Sequence, residues 1–262
     1  MDWLQIVVLA LVQGITEFLP ISSSAHLVLP AQLTTWPDQG LAFDVGVHFG
    51  TLLAVVLYFR AQLTTMAGDI VTWPGHRQYS PDIDQLLKLG LATVPVAIVG
   101  FVGKDFIAEH LRSVAVIACT TIGFALVLWW ADRKPGQSDL ISWGAALFIG
   151  GAQVLALVPG TSRSGVTITA ALLVGLSRTR AAEFSFLLAI PTIAGAQLLL
   201  TLDLLAAGSE ARWGELISGA AIAGVSAFLC INLFISLVER TGMLPYVIYR
   251  VLLGLLLFAF LL

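Results

Sequence analysis

Gln13-Gly14-Ile15-Thr16-Glu17-Phe18-Leu19-Pro20-Ile21-Ser22-Ser23-Ser24-Ala25-His26 lies inside a run of otherwise lipid-soluble residues. It carries a carboxylate, three serine hydroxyls, an imidazole, a Gly and a Pro, a load that a plain membrane anchor has no use for. An ionisable group at the bilayer centre costs about 2.5–3.5 kcal/mol on insertion scales, so an intramembrane Glu or His points to a functional site. A second stretch of the same kind, Pro159-Gly160-Thr161-Ser162-Arg163-Ser164-Gly165, follows later in the chain.

The surroundings of both stretches set the fold class. Of 262 residues, 58% are hydrophobic and 11% charged, and the mean hydropathy is +0.94. A soluble domain carries about 25% charged residues, so an all-α integral membrane protein is expected. Apolar runs of about 20 residues suit helices rather than barrel strands. Apolar segments cover 3–33, 41–59, 86–103, 113–131, 141–176, 184–205, 214–237 and 245–262. The first and fifth are interrupted by Pro, Gly and hydroxyls, and the other six are long enough to span. The remaining loops are short, the longest being 60–85. Cys119 and Cys230 fall in apolar runs and read as small buried apolar residues. Asp2 and the absence of a basic n-region argue against a cleaved signal peptide.

The halves echo each other. Pro20 to Ser24 matches Pro159 to Arg163 at an offset of 139, and Phe43 to Thr51 matches Phe184 to Thr192 at 141. A broken segment at the corresponding place in each half marks a midplane site between inverted repeats. The chain is therefore expected to form a single membrane domain over 1–262, with repeats of about 1–131 and 132–262. If the broken segments are re-entrant helical hairpins, each repeat has three spans, giving six transmembrane helices in an inverted-topology repeat. One side then carries Arg60, Arg77, Lys88, Arg133, Lys134, Arg178, Arg180 and Arg240, and the other Lys104, Arg112 and Arg212. The bias places the first set in the cytoplasm and both termini outside. Trp3, Trp129, Trp130, Trp143, Trp213 and Tyr246 lie near segment ends, where interfacial anchoring accounts for them. Arg250 is expected near a cytoplasmic helix end, snorkelling.

Pro20 ends one half-helix, and Ser22 to Ser24 can cap the next. Gly160, Thr161 and Ser162 repeat that arrangement. The start of a helix offers free amides and a positive dipole end, an anion site suited to phosphate. Arg163 adds a planar fork of donors, and Ser164 follows it. Gln13 and Glu17 share a helical face, as do Ser22 and His26, or Ser23 and His26. His26 can act as the nucleophile on phosphorus, or as the base that activates Ser23 or Ser24. Glu17 beside a polyanion calls for a divalent cation bridging carboxylate and phosphates; alternatively Glu17 orients His26 or pairs with Arg163. Asp44 and His48, with Glu183 and Ser185 in the second half, are either a supporting shell or ordinary boundary residues.

These residues resemble the undecaprenyl pyrophosphate phosphatase family, also known as the bacitracin-resistance protein family. Its first motif is Glu or Gln, three residues, Glu, then Phe-Leu-Pro, Ser-Ser and His, here Gln13, Glu17, Phe18 to Pro20, Ser22 to Ser24 and His26. The second, Pro-Gly-x-Ser-Arg-Ser-Gly, is Pro159 to Gly165, and Ala182 to Pro191 also matches. The resemblance implies hydrolysis of undecaprenyl diphosphate to the monophosphate carrier of wall polymers, at a site between re-entrant loops, with Mg2+ or Ca2+. It implies Glu17, Ser23, His26 and Arg163 as catalytic residues. Gln13, Ser22, Ser24, Gly160, Thr161, Ser162 and Ser164 then stand as substrate-binding residues and Glu17 as the metal ligand. Either His26 or Ser23 serves as nucleophile, and Gln13 stands where many members have Glu. Shorter isoprenyl diphosphates are further expected substrates, membrane lipid is the expected surrounding, and no nucleic acid is. The expected location is the bacterial inner membrane, with the site open to the outer face. Gly219, Ala220, Ala223 and Gly224 suit helix packing within a protomer or in a homodimer. A transporter or flippase using the same midplane site is the rival reading.

Overall fold

The structure, a computed structural model, describes residues 1–27, 36, 39–76, 80–111, 113–133, 136–206 and 212–259; for 73–76, 104, 108 and 206 it describes the backbone alone. The described residues are helical and contain no strand; an isolated bridge joins Ser138 to Leu176. Helix α1 is Trp3–Thr16, and a turn over 17–21 leads to a helical stretch, α2, over 23–27. Then come α3 (Gly40–Tyr58), α4 (Arg60–His76), α5 (Pro81–His110) and α6 (Val114–Asp132). In the second half follow α7 (Trp143–Gln153), α8 (Arg163–Leu173), α9 (Arg178–Ala206), α10 (Trp213–Thr241) and α11 (Leu244–Ala259).

Local chemistry sets the starts. Ser80, Ser113 and Ser142 each accept an amide two or three residues into α5, α6 and α7, satisfying one of the donors a helix start leaves free. Pro81 occupies the first turn of α5, where its missing N–H costs nothing. Among the described residues five helices are long and apolar enough to cross a membrane: Gly40–Tyr58, Pro81–Gly103, Val114–Asp132, Arg178–Leu205 and Trp213–Thr241. The chain is thus a multi-pass membrane protein. Of the sixth expected span, 245–262, the described part is α11, 16 residues. Its last residues, the end of the first apolar segment, and Arg77, Arg112 and Lys134 of the charge count lie outside the described residues.

The packing exchanges partners between the halves. Helix α1 lies on α10 while α7 lies on α5; α3 lies on α10 while α9 lies on α5; α3 meets α9, and α6 meets α11. Small residues permit the closest approaches. A Cβ on Gly14 would lie 2.5 Å from the Ala223 carbonyl oxygen. The stripe over Gly219 to Gly224 is therefore occupied, at least in part, by contacts within this chain.

Three expectations change. The stretch expected as the longest loop is mostly α4, since nothing between Arg60 and Thr72 breaks a helix; it exposes most of its residues and buries Met66. Cys119 is exposed and Cys230 is half-buried, its thiol donating to the Ile15 carbonyl, because each lies on a flank of its helix rather than on the packed stripe. Tyr246 packs edge-on against Phe234 and joins the core instead of standing at an interface. Trp3, Trp129, Trp130, Trp143 and Trp213 are exposed, as anchoring requires.

Candidate active site

Two helix breaks build the site. In the first, α1 ends at Thr16 and the chain turns through Glu17 to Ile21. In the second, α7 ends at Gln153, a 3-10 turn runs over Val154–Leu157, and Val158 to Ser162 lead into α8. The breaks share one unusual backbone conformation. Ser22 has φ 72° and Ser162 has φ 71°, the only non-glycine residues in the left-handed region among those described, each just ahead of its second half-helix. Such conformations cost about 1–3 kcal/mol and persist where their surroundings over-determine them. The hydroxyls repeat as well: Ser22 Oγ lies 3.1 Å from Ser24 Oγ, and Ser162 Oγ 3.3 Å from Ser164 Oγ. Ser162 Oγ also accepts the Gly165 amide and caps α8.

The tips hold each other. Ser164 Oγ donates to the Leu19 carbonyl at 2.8 Å, and the Gly160 amide donates to Ser24 Oγ at 3.5 Å. Gly160 has φ 87°, and a Cβ there would lie 2.5 Å from the Ile117 carbonyl oxygen, so both its dihedrals and its crowding exclude a side chain.

At this junction Arg163 Nη2 donates to Glu17 Oε1 at 3.0 Å while Nη1 donates to the Ser185 carbonyl at 3.3 Å. The guanidinium rests 5.6 Å from the Phe18 ring centre. Both side chains are mostly buried, 12% and 9% exposed. The second carboxylate oxygen, Glu17 Oε2, accepts from Ser23 Oγ at 2.9 Å and from Gln13 Nε2 at 3.0 Å. His48 Nδ1 donates to the Asp44 carbonyl, and this turns its Nε2 to 3.9 Å from Glu17 Oε2. Thr167 and Ser185, their hydroxyls 2.6 Å apart, brace the wall behind Arg163.

A cavity of about 270 Å³ opens over this cluster. Glu17, Ser22, Ser23, Ser24, His48, Ser162 and Arg163 line its polar end. Ala156, Ile193, Ala196 and Leu200 make its apolar side, with Thr192 and Gln197 between. Gln13, Gly160, Thr161 and Ser164 stand behind this lining.

His26 is placed differently from the expectation that a nearby serine hydroxyl shares its ring. Its Nδ1 donates to the Ser22 carbonyl at 2.7 Å, which leaves Nε2 as the acceptor of the Tyr249 hydroxyl at 2.6 Å. The Tyr249 ring lies parallel to the imidazole. Both ring nitrogens are thus occupied, and Ser23 turns to Glu17 instead. Glu17 pairs with Arg163, one of its expected alternatives, and does not orient His26.

Arg250 overturns its expectation. It does not snorkel from a helix end: it sits mid-way along α11, 0% exposed, and donates to the carbonyls of Thr121, Pro20, Gly160 and Thr161. The broken segments strand carbonyls that no water can reach, and a guanidinium is a ready donor for several at once. His48 reaches the cluster's edge, whereas Asp44 supplies only its main-chain carbonyl to the His48 ring and turns its carboxylate to Gln39. Arg178 pairs with Asp132 and Arg180 with Glu183, both away from the cavity.

A family model described as "Bacitracin resistance protein BacA" matches residues 6–256. Two curated relatives, from Alcanivorax borkumensis and Alteromonas mediterranea, are each 52% identical over 257 residues, covering 97% of this chain and 97% of the relative. Both bear the name undecaprenyl-diphosphatase.

Proposed function

The chain belongs to the bacitracin resistance protein BacA family, and from that premise we propose that it is a membrane phosphatase that hydrolyses undecaprenyl diphosphate to undecaprenyl phosphate and inorganic phosphate. The observation that carries the reading is the cluster at the tip junction, where one carboxylate holds both Ser23 Oγ and Arg163. A hydroxyl held on a carboxylate is set up for proton removal, and a guanidinium fork beside it suits phosphate oxygens.

The terminal phosphate sits at the start of α8, where the helix amides and Arg163 take its equatorial oxygens. Ser23 Oγ attacks the terminal phosphorus as Glu17 accepts its proton. The bond from that phosphorus to the bridging oxygen breaks, and undecaprenyl phosphate leaves with the bonding electron pair. Glu17 passes that proton to the departing undecaprenyl phosphate. Water then attacks the phosphoserine phosphorus as Glu17 accepts one of its protons and hands it to Ser23 Oγ, whose bond to phosphorus breaks, freeing inorganic phosphate and Ser23. His26, with both nitrogens engaged, holds the Ser22 carbonyl and through it the Ser23 backbone. The prenyl chain lies along the apolar side of the cavity, over Ala156, Ile193, Ala196 and Leu200.

The site's charges favour a divalent cation. Glu17 and Arg163 neutralise each other, so the diphosphate brings an uncompensated negative charge. Among the described residues no group of three His, Cys, Asp or Glu could hold a metal by itself. However, Gln13 Oε1 is buried with no hydrogen-bond partner, and it stands beside Glu17. Gln13, Glu17 and Ser23 supply hard oxygens, with His48 Nε2 close by. Mg2+ or Ca2+ fits such a set when substrate oxygens complete it. When bound, the ion supplies charge neutralisation on the phosphates.

The architecture that goes with this reading is two inverted repeats, about 1–131 and 132–262, with six spans and two re-entrant hairpins. The matched Ser22 and Ser162 dihedrals and the exchanged helix partners support it. The enzyme sits in the bacterial inner membrane, termini and cavity facing outward, and also accepts shorter isoprenyl diphosphates. A carrier for the same anion has no need of a hydroxyl held on a carboxylate. Phosphate release from undecaprenyl and farnesyl diphosphates, by purified protein with Mg2+, Ca2+ or EDTA, tests the reading. Turnover that stops with EDTA is expected. A folded protein that moves prenyl diphosphates across vesicles without releasing phosphate would overturn it.

A further inference from the structure

Arg250 lies in neither broken segment, yet it touches both. Its Nη2 donates to the Gly160 and Thr161 carbonyls at 3.0 and 2.9 Å, its Nη1 to Pro20 at 3.4 Å, and its Nε to Thr121 on α6 at 3.1 Å. Among the described residues no carboxylate stands within ion-pairing distance of it. The guanidinium is spent on main-chain oxygens from three distant parts of the chain: both tips and α6.

We infer that Arg250 is a positioning residue, a rigid spacer on α11 that sets the distance between the two tips and so the placement of Ser23 against Arg163. Pro20 lies three residues before Ser23, and Thr161 two before Arg163. Between each clamped carbonyl and its reactive side chain stands a serine in the left-handed region, Ser22 or Ser162. Strained links of this kind relax once their anchor is removed. The fork is planar with fixed donor directions, so it defines a separation, which the flexible ammonium of Lys cannot do. A misplacement of about 1 Å between reacting groups costs on the order of 100-fold in rate. Gly165 fits the same arrangement: a Cβ there would lie 2.7 Å from Arg250 Nη1, so α8 starts as close to the guanidinium as a backbone can.

The inference rests on the phosphatase reading, and its test separates the two. Arg250→Gln and Arg250→Lys are purified beside the wild-type protein, and farnesyl diphosphate turnover is resolved into kcat and KM. Amide hydrogen exchange is followed by mass spectrometry over 17–27 and 158–166. If the wild type releases no phosphate, the functional reading fails, and the exchange data still judge the spacer. Expected in Arg250→Gln is exchange at least 10-fold faster in both tips together, unchanged exchange in α3, and kcat down about 30-fold or more with KM within threefold. Arg250→Lys, which keeps the charge, shows the same pattern and carries the test if the Gln variant does not fold. Unchanged exchange in the tips, or kcat within threefold of wild type, overturns the inference. So does a raised KM with kcat intact, which would mean that Arg250 attracts substrate by charge.

Discussion

The two broken segments have nearly the same backbone and opposite chemistry. Each ends a helix, turns, passes through a serine near φ +70°, and starts a second helix with two hydroxyls facing each other. The matched dihedrals shift the register by one from the Pro20–Pro159 match: at an offset of 140, Gln13 corresponds to Gln153, Ser22 to Ser162 and Ser24 to Ser164. These shared residues cap, bury or bind the opposite tip. Where the segments diverge, Glu17 faces Leu157, Ser23 faces Arg163 and His26 faces Val166. All three differences bear on the proposed chemistry. Structure belongs to what the halves share, and reactivity to where they part.

The comparison breaks most sharply at Ser23 and Arg163. Ser23→Ala and Arg163→Ala should each lower phosphate release by about 10³-fold or more, since one removes the proposed nucleophile and the other the cation proposed to hold the transferring group. Arg163→Lys should recover little of this, because a point charge cannot span Glu17 and the Ser185 carbonyl together. Release from farnesyl diphosphate by folded, monodisperse variants checks it. Activity within 10-fold of wild type in either alanine variant would place the chemistry elsewhere. A smaller effect is expected at the third divergent pair. His26→Asn should lower kcat about 10- to 100-fold with KM nearly kept, and Tyr249→Phe should add little on top, since both act through Ser22. Val166→Ala, at the equivalent place, should cost about 1–2 kcal/mol of stability for the lost buried methyls and leave kcat unchanged. A Tm and a kcat for each variant decide it.

Much of this is legible in the sequence. A carboxylate and hydroxyls at one break and an Arg at the other pointed to one shared cluster, and Glu17 does meet Arg163. The helical class followed from composition. What stayed hidden depends on distance across the fold. A lone Arg in an apolar last helix looks like a snorkelling residue, and nothing local says that its donors are consumed by carbonyls far away in sequence. One signal was available: two helix breaks in a bilayer must strand carbonyls, and those need a buried donor from some other element. The expected pairing of His26 with a serine hydroxyl fails for a similar reason. Helical spacing put serine hydroxyls within its reach, but Tyr249 on α11 competes for Nε2, and spacing carries no information about a neighbouring helix.

The smallest effects test the shared backbone itself, through glycines. Gly160 combines φ 87° with contact against α6, so Gly160→Ala should destabilise by about 1–3 kcal/mol from backbone strain, with crowding against Ile117 adding to it. Gly90, mid-helix on an exposed face of α5, meets nothing within 4 Å of an added Cβ. There the same substitution should stabilise, by up to about 1 kcal/mol, because Ala forfeits less chain entropy in a helix than Gly. Thermal unfolding in one detergent, with the variants side by side, compares them directly. Opposite signs are expected. If both glycines tolerated Ala alike, the close approach of the second tip to α6 would not be a constraint on the fold, and the tips would have room to move independently of each other.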